Sequence, residues 1–238
     1  MGDDGAAVLA RPGRRRHHEP DAEVRLILDA ALVVMRRNGY AAASVADILD
    51  EAQLSTRAFY RHFDSKDALL RAMYRRDAES VARQLRAATE AAPDPVSALQ
   101  AWIDGYLGVF FDPRKAQRSA VMTSEGTRRA AGYHEEQERA ETALMAPLVD
   151  VLSDGMGAGV FRSTAPEHDA ATIYAVASSV GTARRPGAKR LNLDAARAQV
   201  QRFCWPALGL VVELPEGDGD AAGPETAAGP ETAADRNR

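Results

Sequence analysis

Hydrophobic residues recur every three or four positions along most of the chain, which is the spacing of amphipathic α-helices. The first such run covers residues 21–38, two short runs follow at 45–52 and 56–63, and a long run extends from Lys66 to about Pro93. Further helices are predicted near residues 96–111, 114–129, 132–156, 167–182 and 194–212. Aromatic residues make up only 6% of the chain while Ala, Leu, Arg and Glu are frequent, so the sequence predicts an all-α fold.

Capping and helix-breaking residues refine these boundaries. Ser44, with Asp47 three residues later, forms a capping-box pattern at the start of the second helix. Ser55 is a suitable N-cap for the third helix, because its hydroxyl can accept from backbone N–H groups of the first turn. Pro147 and Pro206 lie inside predicted helices, where each removes a backbone donor, and a kink or break is expected at both positions.

The third predicted helix has two unlike faces. One face carries Leu54, Ala58, Phe59, His62 and Phe63, and the other carries Thr56, Arg57, Tyr60 and Arg61. The first set is suited to packing, and the second set can contact a partner. A short helix, a tight turn and a second short helix with a polar face are typical of a helix-turn-helix, whose second helix enters the major groove of DNA.

Residues 39–70 resemble the N-terminal DNA-binding domain of the TetR family of transcriptional regulators. The resemblance rests on Gly39-Tyr40, Ser44-Val45-x-x-Ile48, Leu54-Ser55, Phe59-Tyr60-x-His62-Phe63 and Ser65-Lys66-x-x-Leu69. One position departs from the family pattern, since Gln53 stands where the family usually has glycine. Glycine is favoured there because the backbone conformation is costly for a residue with a Cβ, so a strained or reshaped turn is expected.

The resemblance implies that Thr56, Arg57 and Tyr60 face DNA and that Ser44, His62 and Lys66 lie near phosphates. Ser55 and Arg61 complete the predicted DNA-binding set in this region. The alternative for Arg57, Tyr60 and Arg61 is a merely solvated helix face. The net charge of the whole chain is −4, but residues 53–76 carry six basic and two acidic side chains, and such a local basic surface is compatible with DNA binding.

The composition divides the chain into four segments. Residues 1–20 are predicted to be a disordered basic arm, 21–65 the helix-turn-helix domain, 66–213 a helical regulatory and dimerisation domain, and 214–238 a disordered tail. The arm carries Arg14, Arg15 and Arg16 as candidates for contact with phosphates or a minor groove, and a solvated tail is the alternative.

The resemblance also implies a small-molecule pocket among the helices of residues 66–156. The fifth predicted helix carries a wide aromatic stripe, and a mostly apolar or aromatic effector is therefore expected. The candidate lining residues are Trp102, Tyr106, Phe110, Met122, Tyr133 and Met145. For each of them the alternative is an ordinary place in the core.

The last two predicted helices have apolar stripes that could close a four-helix bundle with the same helices of a second subunit. This pattern predicts a homodimer with twofold symmetry. The candidate interface residues are Ile173, Tyr174, Val176, Ala177, Val200, Phe203 and Ala207.

Several classes of function find no support in the sequence. There is no nucleotide-binding or hydrolase motif, and His134-Glu135-Glu136 lacks the second histidine of a zinc-protease motif, so no catalytic residue, cofactor or metal is predicted. The single Cys204 rules out an intramolecular disulfide, and it is interpreted as either a redox sensor or a small buried hydrophobe. Without an apolar run of about 18 residues or a signal-peptide core, the protein is expected to be cytoplasmic with no membrane partner.

The leading hypothesis is a homodimeric, ligand-responsive repressor that binds a palindromic double-stranded DNA operator and is released by a small-molecule effector. An enzyme is the second class, against which the missing motifs argue. The third is a helical interaction module of the same fold that no longer binds DNA, for which Gln53 is the one hint. Salt-dependent binding to a palindromic duplex separates the first hypothesis from the other two.

Overall fold

The computed structural model describes residues 20–162, 165–183 and 191–211. Within these ranges the chain forms helices and no strands, which confirms the all-α prediction. The helices are α1 (Pro20–Ala42), α2 (Val45–Ala52), α3 (Thr56–His62), α4 (Lys66–Glu90), α5 (Pro95–Phe111), α6 (Pro113–Met122), α7 (Glu125–Arg128), α8 (Tyr133–Gly157), α9 (Pro166–Thr182) and α10 (Leu193–Ala207). The predicted arm with Arg14, Arg15 and Arg16 lies outside the described residues, as does the whole of the predicted tail at 214–238.

The predicted caps form at the first helices. The backbone N–H of Asp47 donates to the Ser44 hydroxyl at 3.1 Å, and the Asp47 carboxylate accepts from the Ser44 backbone N–H at 3.0 Å, which completes a capping box. The Ser55 hydroxyl accepts from the Ala58 backbone N–H at 3.3 Å. Helix α3 ends at His62, one residue before the predicted end, because the next residue is already extended with φ of −137°.

The structure also differs from the predicted helix at residues 114–129 and from the predicted helix end at residue 212. The helix expected at residues 114–129 is divided into α6 and α7, because Ser124 caps a new helix by accepting from the Thr127 backbone N–H. The last helix ends at Ala207 instead of 212, and the chain turns away at Gly209, which has a φ of +78°. Helix α8 continues through Pro147 without the expected break, because the flanking buried residues Leu148 and Leu152 hold it in the core.

The helices enclose two hydrophobic cores. The first core joins α1, α2 and α3 to the start of α4 around Ile27, Ile48 and Phe59. Side chains from α6 and from the segment that follows α7 also enter this core, among them Met122 and Ala130. The second core surrounds α5 and includes residues of α4, α8, α9 and α10. Helices α6 and α7 therefore pack against the helix-turn-helix although they follow α5 in the chain.

Among the residues that the structure describes, no helix combines the length and the apolar character that a membrane span requires.

Candidate DNA-binding surface and ligand cleft

The turn between α2 and α3 is formed despite the missing glycine. Gln53 adopts the left-handed conformation, with φ of 55° and ψ of 39°. Its side-chain amide donates to the backbone carbonyl of Asp50 at 2.6 Å, and the next backbone N–H, of Leu54, donates to the carbonyl of Leu49 at 3.1 Å. The backbone strain expected at Gln53 is therefore present, and local hydrogen bonds offset part of it.

The two predicted faces of α3 are confirmed. Ala58 and Phe59 are buried in the first core, whereas Thr56, Arg57 and Arg61 are exposed and Tyr60 keeps 58% of its surface accessible. This exposed face is polar and basic, and none of the helices in the described residues packs over it. Helix α3 can therefore present several hydrogen-bond donors to a partner without losing its buried contacts.

The last turn of α3 is held by an acidic residue that the sequence analysis missed. Glu23, in the first turn of α1, is buried, and its Oε2 atom lies 3.0 Å from Arg61 Nη1 and 3.0 Å from His62 Nε2. The His62 side chain keeps only 12% of its surface accessible. His62 therefore orients α3 on α1, and its predicted position near phosphates stays a prediction. The signal that was overlooked is an acidic residue beside the apolar stripe of α1.

Lys66 also makes contacts that the sequence analysis did not anticipate. Its ammonium group donates to the backbone carbonyls of Tyr40 and Ala43, each at 2.9 Å, and lies 4.4 Å from the centre of the Tyr40 ring. The neighbouring Asp67 accepts a hydrogen bond from the Tyr40 hydroxyl, which lowers the pKa of that carboxyl below its usual value. Residues 66 and 67 thus fix the start of α4 to the α1–α2 turn.

A cleft with a volume of about 810 Å³ opens between α4, α5, α6, α8 and α9. Five of the six predicted ligand-binding residues line it, namely Tyr106, Phe110, Met122, Tyr133 and Met145. Tyrosines and charged residues make up much of the remaining lining. Size and composition suit a ligand with a sizeable apolar body and some polar groups.

Trp102 is the exception among the predicted lining residues. Its side chain is fully buried, and its indole N–H donates to the backbone carbonyl of Leu144 at 3.0 Å. The indole ring stacks on Tyr106 with centroids 5.1 Å apart and an angle of 16° between the planes. The prediction for Trp102 is therefore wrong, because it lies one turn behind the lining and supports Tyr106 from within the core.

Several lining residues escaped the sequence analysis because each looks like a solvated position on a long helix. They include Tyr74 and Asp77 of α4, Arg118 of α6, Glu141 of α8 and Tyr174 of α9. Arg118 and Asp77 form an ion pair across the cleft wall. Burial raises the pKa of the phenols of Tyr74, Tyr106, Tyr133 and Tyr174, so all four stay neutral at physiological pH.

The cleft and the DNA-binding domain share side chains. Met122 lines the cleft and is at the same time a buried member of the first core. The segment just before α8 is tied to α4, since Arg71 donates to the carbonyl of Ala131 at 2.6 Å and the Ala131 N–H donates to Asp67 at 3.0 Å. Asp67 is the residue that also holds Tyr40, so a movement at the start of α8 reaches the α1–α2 turn through few contacts.

The predicted dimer residues are divided between the interior and the surface. Ile173, Ala177 and Val200 are buried within the second core, and Tyr174 lines the cleft. For Ile173, Ala177 and Val200 the assignment to an interface is wrong, because the apolar stripes of α9 and α10 pack on each other and on α5 within one chain. For the half-buried Tyr174 it stays a prediction.

The apolar surface that α9 and α10 expose lies around Phe203. Phe203 keeps 67% of its surface accessible, Val176 is partly exposed and Ala207 is exposed. A groove of about 430 Å³ runs between α9 and α10, lined by Ala175, Val176, Ser179, Val180, Gln199, Arg202 and Phe203. A second helix pair could pack into this groove.

Cys204 packs as a small apolar side chain. Cys204 is buried, and burial raises the pKa of its thiol to about 11, which favours the small-hydrophobe interpretation over the redox sensor. Over the described part of the chain, no three His, Cys, Asp or Glu side chains are arranged to hold a metal ion.

The N-terminal domain also matches a known protein family. Residues 27–73 match the model of the family described as bacterial regulatory proteins, tetR family. No curated protein matches the chain in sequence.

Solved structures of regulators share the fold. FadR from Bacillus subtilis, in complex with stearoyl-CoA, is 16% identical with a TM-score of 0.66, and the match covers 77% of this chain and 98% of that one. SmeT in complex with triclosan is 18% identical with a TM-score of 0.65, covering 78% of this chain and 91% of that one. A TetR transcription regulator from Haloarcula marismortui is 21% identical with a TM-score of 0.61, covering 77% and 97% of the two chains. At these identities the likeness extends to the fold alone.

Proposed function

Since the chain belongs, through its N-terminal domain, to the tetR family of bacterial regulatory proteins, we propose that it is a homodimeric repressor of a palindromic operator. A small apolar or aromatic effector releases it from DNA. The family match also confirms the expectation of a regulator instead of an enzyme. As a protein that acts on the chromosome, it works in the cytoplasm.

The DNA-binding part of the proposal is supported by α3. Its exposed face offers Thr56, Arg57, Tyr60 and Arg61, while Phe59 fixes the helix in the first core. A helix of this width fits the major groove, where arginine can bind the O6 and N7 atoms of guanine with two hydrogen bonds. Ser44 and Ser55 cap the N-termini of α2 and α3, where backbone N–H groups can donate to phosphates.

The ligand-responsive part rests above all on Met122. Because Met122 belongs to the cleft lining and to the core of the DNA-binding domain, a ligand that displaces its side chain must also change the packing under α1. Such a ligand shifts the protein toward a released conformation only if it binds that conformation more tightly, by about 1.4 kcal/mol for each tenfold preference. The same displacement at α6 alters the spacing of two recognition helices in a dimer.

An apolar effector is supported by the lining and by the solved structures of similar fold. The cleft presents Tyr106, Phe110 and Met145. One similar structure holds stearoyl-CoA and another holds triclosan, each a molecule with a large apolar part. Both compounds are therefore the first probes for the cleft of this protein.

The third hypothesis, a helical module that no longer binds DNA, rested on Gln53. The turn at Gln53 keeps the left-handed backbone that a helix-turn-helix needs, and Ser55 caps α3 as expected. The geometry of the motif is therefore intact, and we favour DNA binding over the third hypothesis.

The decisive experiment measures DNA binding and release together. A labelled duplex from the promoter region of the protein's own gene is titrated with protein at several salt concentrations, and stearoyl-CoA and triclosan are then added. We expect tight binding with a steep salt dependence, and release by an apolar probe. Met122→Leu should leave the affinity for the probe within about threefold but change the degree of release. Met156→Leu, at an exposed position of α8 away from the cleft, is the matched control.

Binding that is equal on promoter and scrambled duplexes at all salt concentrations would refute the regulator. Release that is identical in the wild type and the Met122→Leu variant would remove Met122 from the coupling and leave the DNA-binding assignment in place.

A further inference from the structure

Four tyrosines from four different helices meet in the cleft. Tyr74 of α4 and Tyr133 of α8 lie edge to face with ring centroids 5.6 Å apart. Tyr106 of α5 and Tyr174 of α9 form a second pair with centroids 5.1 Å apart. All four rings belong to the lining, and their hydroxyls hydrogen-bond within the cluster, Tyr74 with Tyr133 and Tyr106 with Tyr174, so it is the electron-rich ring faces that can meet a ligand.

The carboxylate of Glu141 lies among these tyrosines. Glu141 is half-buried on α8 and lines the cleft, and its Oε1 atom accepts a hydrogen bond of 2.8 Å from Gln137 of the same helix. Among the described residues no Lys, Arg or His comes within ion-pair distance of it. It lines the same cleft as the four rings, and its negative charge contributes to the raised pKa of all four phenols.

The cations of the cleft are engaged or placed elsewhere. Arg118 is paired with Asp77, and Arg76 lies 3.5 Å from Asp29. Lys115, on α6, donates to the amide of Gln84. Arg128, on α7, is exposed and hydrogen-bonds with Tyr133. None of the four neutralises Glu141, so a carboxylate without a cationic partner faces an aromatic cavity.

We propose that the ligand of this cleft is an amphipathic organic cation, with its positive centre beside Glu141 between the tyrosine rings and its apolar body along Phe110 and Met145. This inference rests on the cleft being the effector site of the proposed function. A cation gains the attraction of the carboxylate and of the ring faces at once, both of which strengthen as water leaves the cavity. Compared with a cation of the same shape, a neutral ligand binds more weakly because it leaves Glu141 without a partner, and an anion binds more weakly still because the carboxylate repels it.

The test compares two ions of matched shape and opposite charge. Binding of tetraphenylphosphonium and of tetraphenylborate to the full-length protein is measured by calorimetry. We expect the phosphonium to bind at least about tenfold more tightly, because it alone gains both attractions. Glu141→Gln should reduce the affinity for the phosphonium by roughly tenfold and leave that for the borate unchanged or higher. Glu138→Gln, at an exposed position one turn away on α8 and outside the lining, should change neither affinity.

Circular dichroism and the melting temperature of Glu141→Gln show whether the variant keeps its fold. If it does not, Glu141→Asp replaces it, and the longer distance to the cation should still reduce the affinity for the phosphonium. Tighter binding of the borate, or an unchanged phosphonium affinity in folded Glu141 variants, would overturn the inference. If neither ion binds, the inference also falls, and release of DNA by stearoyl-CoA or triclosan then decides separately whether the proposed function stands.

Discussion

The guanidinium of Arg75 holds the buried carboxylate of Glu136 through two hydrogen bonds, of 2.9 Å from Nε to Oε1 and 2.8 Å from Nη2 to Oε2. Arg75 lies in the third turn of α4, and Glu136 lies in the first turn of α8 with 3% of its side chain accessible. The pair fixes the start of α8 on α4, beside the cleft and close to the contacts that reach the DNA-binding domain. Two parallel hydrogen bonds between charged groups give this joint its specificity.

Stability should depend on this pair and on pH. Hydrogen bonds from Arg75 lower the pKa of the Glu136 carboxyl below its usual value. A group whose pKa is lower in the folded protein stabilises fully above its unfolded pKa, and this contribution is lost as pH falls through the folded value. The free energy of unfolding, measured with urea, should therefore decrease below about pH 4.5.

Arg75→Ala should cost about 2–3 kcal/mol at pH 7, because it leaves a buried carboxylate with only the more distant Arg139 nearby. Arg129→Ala, which breaks an exposed pair with Glu125, should cost under about 1 kcal/mol. Equal losses in the two variants would mean that the Arg75 pair contributes no more than a surface contact.

Arg57 should read base sequence. Arg57→Ala should weaken binding to the cognate duplex by about 1–3 kcal/mol and relax the base preference at one position, because two hydrogen bonds to a guanine are lost. Fluorescence anisotropy on cognate and scrambled duplexes measures both effects. Arg83→Ala removes the same charge from an exposed site on α4 and should have little effect. The same loss on both duplexes would remove Arg57 from the base-reading residues.

Lys66 should affect both stability and DNA binding. Lys66→Ala removes the donor to the carbonyls of Tyr40 and Ala43, and we expect a loss of about 1–3 kcal/mol in the free energy of unfolding. If Lys66 also lies near a phosphate, the slope of log affinity against log salt should decrease by about 0.9 for every duplex. An unchanged slope together with reduced stability would assign Lys66 to the fold alone.

The dimer should depend on Phe203. Phe203→Asp places a charge on the exposed apolar surface beside the groove of α9 and α10, so it should yield folded monomers by sedimentation. Val200→Asp should instead unfold the protein, because Val200 is fully buried in the core of the same chain. A dimer that persists in Phe203→Asp would place the interface on another surface.

Replacing Gln53 with glycine should stabilise the folded protein. Gln53→Gly should raise the free energy of unfolding by about 0.5–1 kcal/mol, because glycine adopts the left-handed conformation without the Cβ penalty. Gln100→Gly, at an exposed position inside α5, should lower it by about 1 kcal/mol. Urea unfolding of both variants gives the comparison, and a loss at Gln53 would mean that its amide contact to Asp50 outweighs the backbone strain.

The sequence predicted those features that depend on neighbours in the chain. The capping box of Ser44, the cap at Ser55 and the left-handed turn at Gln53 are set within four residues, and each was placed correctly. The stripe on α5 indicated that Trp102 and Tyr106 are buried, but it carried no information on which of them borders an empty space. That difference depends on the position of α8, whose Leu144 carbonyl accepts from the Trp102 indole.

Contacts between segments far apart in the chain could not be predicted from neighbouring residues. Glu23 approaches His62 only because α1 and α3 cross, and Glu141 shares a cleft with Tyr174 only because α9 packs on α8. The apolar stripe that contains Val200 indicated a buried face but not what covers it. A helix needs the same apolar residues whether it packs on a second subunit or in the core of its own chain. Only the structure shows that Phe203 stays exposed after the other apolar side chains of α9 and α10 have packed into that core.

The double membership of Met122 constrains how this protein can acquire a new inducer. A substitution at Met122 that reshapes the cleft also alters the folding of the DNA-binding domain, so selection for a new inducer would lose many such variants to misfolding. Phe110 and Tyr174 line the same cleft but pack only on the second core. Biosensor libraries should therefore vary α5 and α9 first, and natural lineages should reach new inducers by the same route.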